Sequence, residues 1–328
     1  MNNKISIAQT QALIIMASLG FEILILPMII GSITQLIITL LAGFLLCVIG
    51  VYSKVDISES KILCFIYSVK NIIVTILLTK ILADAIKNVM LNDVLIYKII
   101  LIIVLVSGYG AWKGVEATAR ISQMLFWFIV IGTVYVYVMA VPDIDLSNIV
   151  YKTGIKNAGT AVLLGLIINI GEIIILLKPN MKVINGEILK GAAFGLLLVF
   201  AVAFVIMGRL GAKGIEEVEY PFFEIMYTAD LPNVFVKRQE GIFISLWIIS
   251  AFISIFIYFS TTIGYMTDMK INKKSALIVL MIFIFIFASV YKGNMRAIRT
   301  YCFLQIIGGM ITVFIIPLIY MFRRNKIE

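Results

Sequence analysis

Apolar residues run along this chain in blocks about as long as a bilayer is thick, separated by short polar stretches. That rhythm predicts membrane-crossing helices rather than strands or soluble amphipathic helices. Ten blocks stand out, near residues 7–30, 33–52, 62–89, 97–108, a fifth entered through 109–120 and ending near 140, then 157–177, 191–207, 241–266, 276–291 and 297–321. A charged loop at 53–61, a loop at 142–148 and a basic link carrying Lys178, Lys182 and Lys190 join some of them. The long connection 208–239 includes an aromatic, acidic stretch at 220–227 that is too short to span and reads as a helix lying at the membrane surface. The expected fold is all-α and polytopic, in a single transmembrane domain. The first block resembles a signal peptide, but no small-residue cleavage site follows and it reads as the first span.

Two blocks are interrupted in the same way. Ser18-Leu19-Gly20-Phe21-Glu22 is followed by Ile and Leu closed by Pro27, and Asn169-Ile170-Gly171-Glu172 by Ile and Leu closed by Pro179. A carboxylate at mid-bilayer depth costs at least ~2.5–3.5 kcal/mol on insertion scales, so it normally faces a cavity or a partner. Matching interruptions in the two halves of a membrane protein are the signature of a repeat-built fold with its binding site at broken helices. Breaks are therefore expected around Ser18–Gly20 and at Gly171. Ser18, Leu19, Gly20, Glu22, Asn169, Ile170, Gly171 and Glu172 become the candidate ligand-binding residues. A zwitterion suits such a site: its carboxylate would sit at a half-helix N-terminus and its ammonium on carbonyls or a glutamate.

The third span adds charge where lipid should exclude it. Lys70 reads as the counter-ion of Glu22 or Glu172, with Asn71 beside it as a further cavity residue. Lys80 and Asp84 share a helix face, and the lysine is expected to snorkel to the interface rather than pair. Gln123, Ser250 and Ser254 either line the cavity or act as hydrogen-bond glue between helices.

Composition narrows the classes. The chain is 62% hydrophobic with no histidine, at a mean hydropathy of +1.09, which excludes histidine proton relays and most zinc chemistry. Cys47, Cys64 and Cys302 lie in apolar blocks without metal-ligand spacing and read as free thiols. No phosphate loop, nucleophile elbow or metal cluster is present, so no catalytic residue, enzyme activity, metal or cofactor is expected. The net charge of +9 fits loops facing anionic lipid and requires no nucleic acid. Of 27 lysines and arginines, Lys70 and Lys80 lie within a span, and the other 25 divide fourteen to eleven in favour of the side holding both termini. That bias puts both termini in the cytoplasm.

Four stretches carry a resemblance to a known family. They are Lys113-Gly114-Val115-Glu116-Ala117-Thr118-Ala119-Arg120-Ile121, Pro142-Asp143-Ile144-Asp145-Leu146-Ser147-Asn148, Gly171-Glu172-Ile173, and Tyr220-Pro221 with Arg238-Gln239-Glu240 leading to Trp247. In order and spacing the chain resembles the spore germination permease family. That family is the B subunit of nutrient germinant receptors and a branch of the amino acid–polyamine–organocation superfamily. The resemblance implies a ten-helix, LeuT-like core of two inverted five-helix repeats broken in helices 1 and 6. Here the repeats would cover approximately 1–140 and 157–291, with a final helix at 297–321. It further implies a spore inner-membrane subunit that binds a small germinant, an amino acid by analogy, and signals to receptor A and C subunits. Proton-coupled amino acid uptake through Glu22 or Glu172 is the alternative. Glu22 stands where the family usually has a small or apolar residue.

Overall fold

The computed structural model describes residues 5–53, 55–149, 158–182, 185–228 and 239–324. Lys4, Lys54, Lys152, Lys156, Lys237, Arg238 and Lys326, which enter the charge division, lie outside the described residues, as does the start of the sixth block at 157. Helices α1 (Ile7–Gly20) and α2 (Glu22–Ile29) form the first span, and α3 (Ile33–Tyr52), α4 (Lys61–Val89), α5 (Ile96–Lys113) and α6 (Val115–Ala140) follow. In the second half come α7 (Ala158–Leu164), α8 (Ile170–Leu177), α9 (Asn185–Glu217), α10 (Pro221–Thr228), α11 (Gln239–Asp268), α12 (Lys273–Val290), α13 (Asn294–Gly309) and α14 (Ile316–Arg324). Among the described residues nine helices are long and apolar enough to cross a membrane, and the bent pair α1–α2 brings the number to ten. The chain is thus an all-helical integral membrane protein. Its outer faces agree: Trp127, Phe128, Val279 and Phe303 are large, apolar and exposed, as lipid-facing positions should be.

Local chemistry sets the boundaries. Ser6 and Gln9 form a reciprocal capping box that starts α1, and Gln11 donates to Glu187 O at 2.8 Å, which explains the polar opening of the first block. The fourth span runs further than the apolar block suggests. Residues 109–113 continue α5, and the turn comes at Gly114, whose φ of +87° suits glycine. At the far end of the bundle Asp145 N–H donates to Gly208 O at 3.1 Å and Arg209 pairs with Asp143 at 2.9 Å, docking the 142–148 loop on α9. Helix α9 kinks there at Gly211, φ +64°. Lys178 Nζ donates to Val51 O at 2.9 Å and to Gly50 O and Ser53 O, capping the C-terminus of α3.

Two expectations fail here. The 220–227 stretch is helical, but Tyr220, Phe222, Phe223, Ile225 and Met226 are buried rather than laid on the surface. Phe222 and Phe223 pack their rings on Trp247, at centroid distances of 5.9 and 4.9 Å, so burying the aromatic face against α11 outweighs leaving it at an interface. Lys80 does not snorkel. It is 5% exposed and its Nζ pairs with Asp84 Oδ1 at 3.0 Å, because a lysine enclosed by helices reaches a carboxylate one turn away sooner than the interface.

The centre of the bundle is made by α1, α4, α8 and α11, with α13 closing one side. Residues Met310–Ile315, between α13 and α14, form a π-helical turn, a local widening common at functional sites.

Candidate ligand-binding site

The first break follows from Gly20. A Cβ added there would lie 3.0 Å from Ser250 O and 3.1 Å from Ala251 Cα, so only glycine lets α1 end hard against α11. The last carbonyls of α1 then need donors that lipid cannot provide. Helix α11 supplies them. Trp247 Nε1 donates to Gly20 O at 2.6 Å, Ser250 Oγ to Met16 O at 2.6 Å and Ser254 Oγ to Ala17 O at 3.2 Å. Ser250 and Ser254 therefore hold two helices together. Ser18 bonds back to Ile15 O within α1, and Leu19 is buried beside it.

The second break is present but displaced. The helical ladder stops at Ile168–Asn169, after a single 3₁₀ turn at Gly165–Ile167, and Gly171 lies inside α8. Gly171 has a different reason to be glycine: a Cβ there would sit 3.0 Å from Leu46 C and O, so it permits α8 to cross α3 at backbone distance. On α3, Gly50 is the facing residue, where a Cβ would meet Gly171 O at 2.8 Å.

Between the breaks the chain has placed its own carboxylate. Asn169 N–H, at the N-terminus of α8, donates to Glu22 Oε1 at 2.8 Å. Glu22 also opens α2, and Glu172 occupies the first turn of α8. Each half-helix thus begins with a glutamate in its first turn.

From there one buried hydrogen-bonded network crosses the bundle. Glu172 Oε1 pairs with Lys70 Nζ at 2.6 Å, and Glu172 Oε2 accepts from Tyr258 OH at 3.1 Å. Lys70 donates onward to Thr312 Oγ1 at 3.1 Å, in the π turn, where Thr312 O accepts from Tyr67 OH at 2.6 Å. The lysine stem has room because Gly308 faces it, where a Cβ would lie 2.8 Å from Lys70 Cε. On the other branch Asn169 Nδ2 donates to Tyr301 OH, and Gln305 Nε2 donates to Asn169 Oδ1 at 2.5 Å. Asn71 donates to Thr261 Oγ1 at 3.3 Å one residue along from Lys70. Ser18, Leu19, Gly20, Glu22, Asn169, Ile170, Gly171, Glu172, Lys70 and Asn71 are therefore all buried in the same central region. Gln123 is not among them, since it lies on the exposed face of α6.

Tyr67, Tyr258, Tyr301, Gln305 and Thr312 escaped the sequence reading as site residues, and Trp247 entered it only through the family resemblance. Lone hydroxyls and rings in apolar helices resemble ordinary packing. Gln305, an amide within an otherwise apolar block, was the one visible signal.

Beside the first break lies a slot of about 10 Å³ among Leu19, Ile23, Phe222, Trp247 and Ser250, room for one water at most. A polar cavity of about 470 Å³ lies elsewhere, where Ile5, Lys113, Glu116, Asn180, Asp268 and Lys273 meet, and it reaches Ser260 on α11. At that end Ile5 N–H donates to Asn180 O at 2.8 Å and Lys182 N–H to Ile5 O at 3.2 Å, tying the start of the first span to the end of the sixth. An apolar cavity of about 410 Å³ lies between α3, α7 and the π turn, lined by Leu46, Ile49, Leu166 and Met310. Two carboxyl groups, Glu22 and Glu172, and one lysine, Lys70, meet in the central network.

Comparison with known proteins agrees with this architecture. The chain is 22% identical over 322 residues to the spore germination protein YndE of Bacillus subtilis (strain 168), covering 89% of this chain and 88% of that one. Residues 60–297, which contain Lys70, the second break, Trp247 and Tyr258, match the family described as spore germination protein. A match over well more than half its length establishes that the chain belongs to the spore germination protein family.

Proposed function

We propose that the chain is the membrane-embedded, ligand-sensing subunit of a nutrient germinant receptor. It binds a small polar germinant of amino-acid size where the two broken helices meet, and passes the signal to A and C partner subunits in the spore inner membrane. A two-repeat, LeuT-like arrangement within a single transmembrane domain, with repeats near 1–140 and 157–291, accommodates both interruptions. The observation that carries the reading is the Glu22–Asn169 contact at 2.8 Å, continued through Tyr301, Gln305, Tyr258 and Glu172 to Lys70. Five helices, α2, α4, α8, α11 and α13, meet in it, so a ligand inserted there shifts their packing together. Such a ligand moves the equilibrium only by its differential affinity for the closed and open arrangements.

The test uses the full chain in lipid nanodiscs, screened by thermal stabilisation against amino acids, amines, sugars and nucleosides. A stabilising compound is then re-measured with Tyr258→Phe, which removes a hydroxyl from the network without removing charge. The expected result is a tenfold or greater rise in the half-maximal concentration, with no solute accumulated in proteoliposomes. Proton-driven accumulation by the wild-type chain alone would instead promote the permease reading.

A further inference from the structure

The contents of the two breaks restrict the chemistry of what binds there. A helix N-terminus buried in a membrane protein attracts an anion, and the N-terminus of α8 already holds one, Glu22 Oε1 at 2.8 Å from Asn169 N. The opposite pole is filled as well. The Met16, Ala17 and Gly20 carbonyls at the end of α1 each accept a side-chain donor from α11. Three carbonyl or carboxyl oxygens of this central region remain unsatisfied. Glu22 Oε2, Gln305 Oε1 and Asn71 Oδ1 are buried oxygens without a hydrogen-bond partner, on residues at most 2% exposed. Unmet buried acceptors, one of them a carboxyl oxygen, call for a donor, and a cationic donor suits a carboxyl group best. A second carboxylate brought to the same break would face Glu22 at close range, where Asn169 N–H is already engaged.

We propose that Glu22 fills the anion seat of the broken-helix site from within the chain, so that this protein recognises an ammonium-bearing compound without a carboxylate, seated on Glu22 Oε2. This narrows the germinant class of the reading above and rests on it. A free amino acid, expected from the resemblance, is excluded by its carboxylate, whereas its decarboxylated amine fits.

Three matched pairs test this, each differing by one carboxylate: ethylamine and L-alanine, isobutylamine and L-valine, putrescine and L-ornithine. Binding to the full-length protein in nanodiscs is read by thermal stabilisation. For the wild type, at least one amine binds tenfold or more tightly than its amino acid partner. Glu22→Ala vacates the seat and reverses the preference by at least tenfold. Glu22→Gln, which keeps the shape and loses the charge, weakens the amine tenfold; and if Glu22→Ala does not fold, the wild-type pairs decide alone. Equal or tighter binding of the amino acids by the wild type overturns the inference while leaving ligand binding at the breaks intact. No binding of any of the six compounds to wild type or variants overturns both.

Discussion

Replacing Glu172 with glutamine removes the partner of Lys70, a lysine buried in α4. Lys70 and Glu172 meet at 2.6 Å with side chains 5% and 2% exposed, and Thr312 Oγ1, at 3.1 Å, is the neutral acceptor left to Lys70. Removing one member of a buried pair costs about 3–5 kcal/mol, because the other charge stays desolvated. The weakened Tyr258 contact adds about 1 kcal/mol. Since every 1.4 kcal/mol is tenfold, Glu172→Gln should lower the folded-to-unfolded ratio by roughly three to four orders of magnitude. Glu172→Gln with Lys70→Met removes both charges and keeps similar volumes, so most of the loss should return. The assay is a double-mutant cycle on detergent-solubilised protein, read by size-exclusion thermostability and by abundance in membranes. A coupling of about 2 kcal/mol or more is expected. If Glu172→Gln costs less than about 0.5 kcal/mol and the double variant is no more stable than the single, Lys70 has another anion and the network is wrongly drawn.

Other outcomes follow from the same contacts. Gly171→Ala places a Cβ 3.0 Å from the Leu46 backbone and should destabilise the protein by about 1–3 kcal/mol, with Gly171→Leu failing to fold; normal thermostability of the leucine variant would dissolve the α3–α8 crossing. Trp247→Phe leaves Gly20 O without its donor and should cost about 1–3 kcal/mol in the same thermostability assay. Cysteine substituted at Phe223 should resist maleimide in intact membranes while cysteine at Tyr227, which is 48% exposed, reacts; equal labelling would unpack α10 from Trp247.

How much of this could be read from the residues depends on how many separate reasons a residue has for being where it is. The spans were legible because apolar blocks of bilayer length have one explanation in water or lipid. Glu22 was legible because nothing apolar excuses it, and Lys70 for the same reason. Gly171 misled because glycine serves equally for a broken helix and for a close crossing, and only the backbone of Leu46 distinguishes them. The break itself fell two residues earlier, at Asn169, whose N–H is free to reach Glu22. The 220–227 stretch misled because its apolar aromatic face suits a membrane surface as well as a protein groove; the rings of Phe222 and Phe223 found Trp247 instead. Lys80 was expected at the interface because its distance along α4 did not reveal that neighbouring helices enclose it. Tyr258, Tyr301 and Thr312 were invisible, since a hydroxyl in an apolar helix gains meaning only from what the fold sets opposite it.

The central claim is that a ligand is received where the two broken helices meet, and hydrogen–deuterium exchange of the nanodisc-embedded protein tests it most directly. With a saturating amine from the matched pairs, added protection should concentrate in peptides covering 16–24 and 165–173, together with 254–262 on α11. Protection confined to 111–116 and 263–273, around the 470 Å³ mouth, with the breaks unchanged, would contradict the account and move the binding site to the mouth.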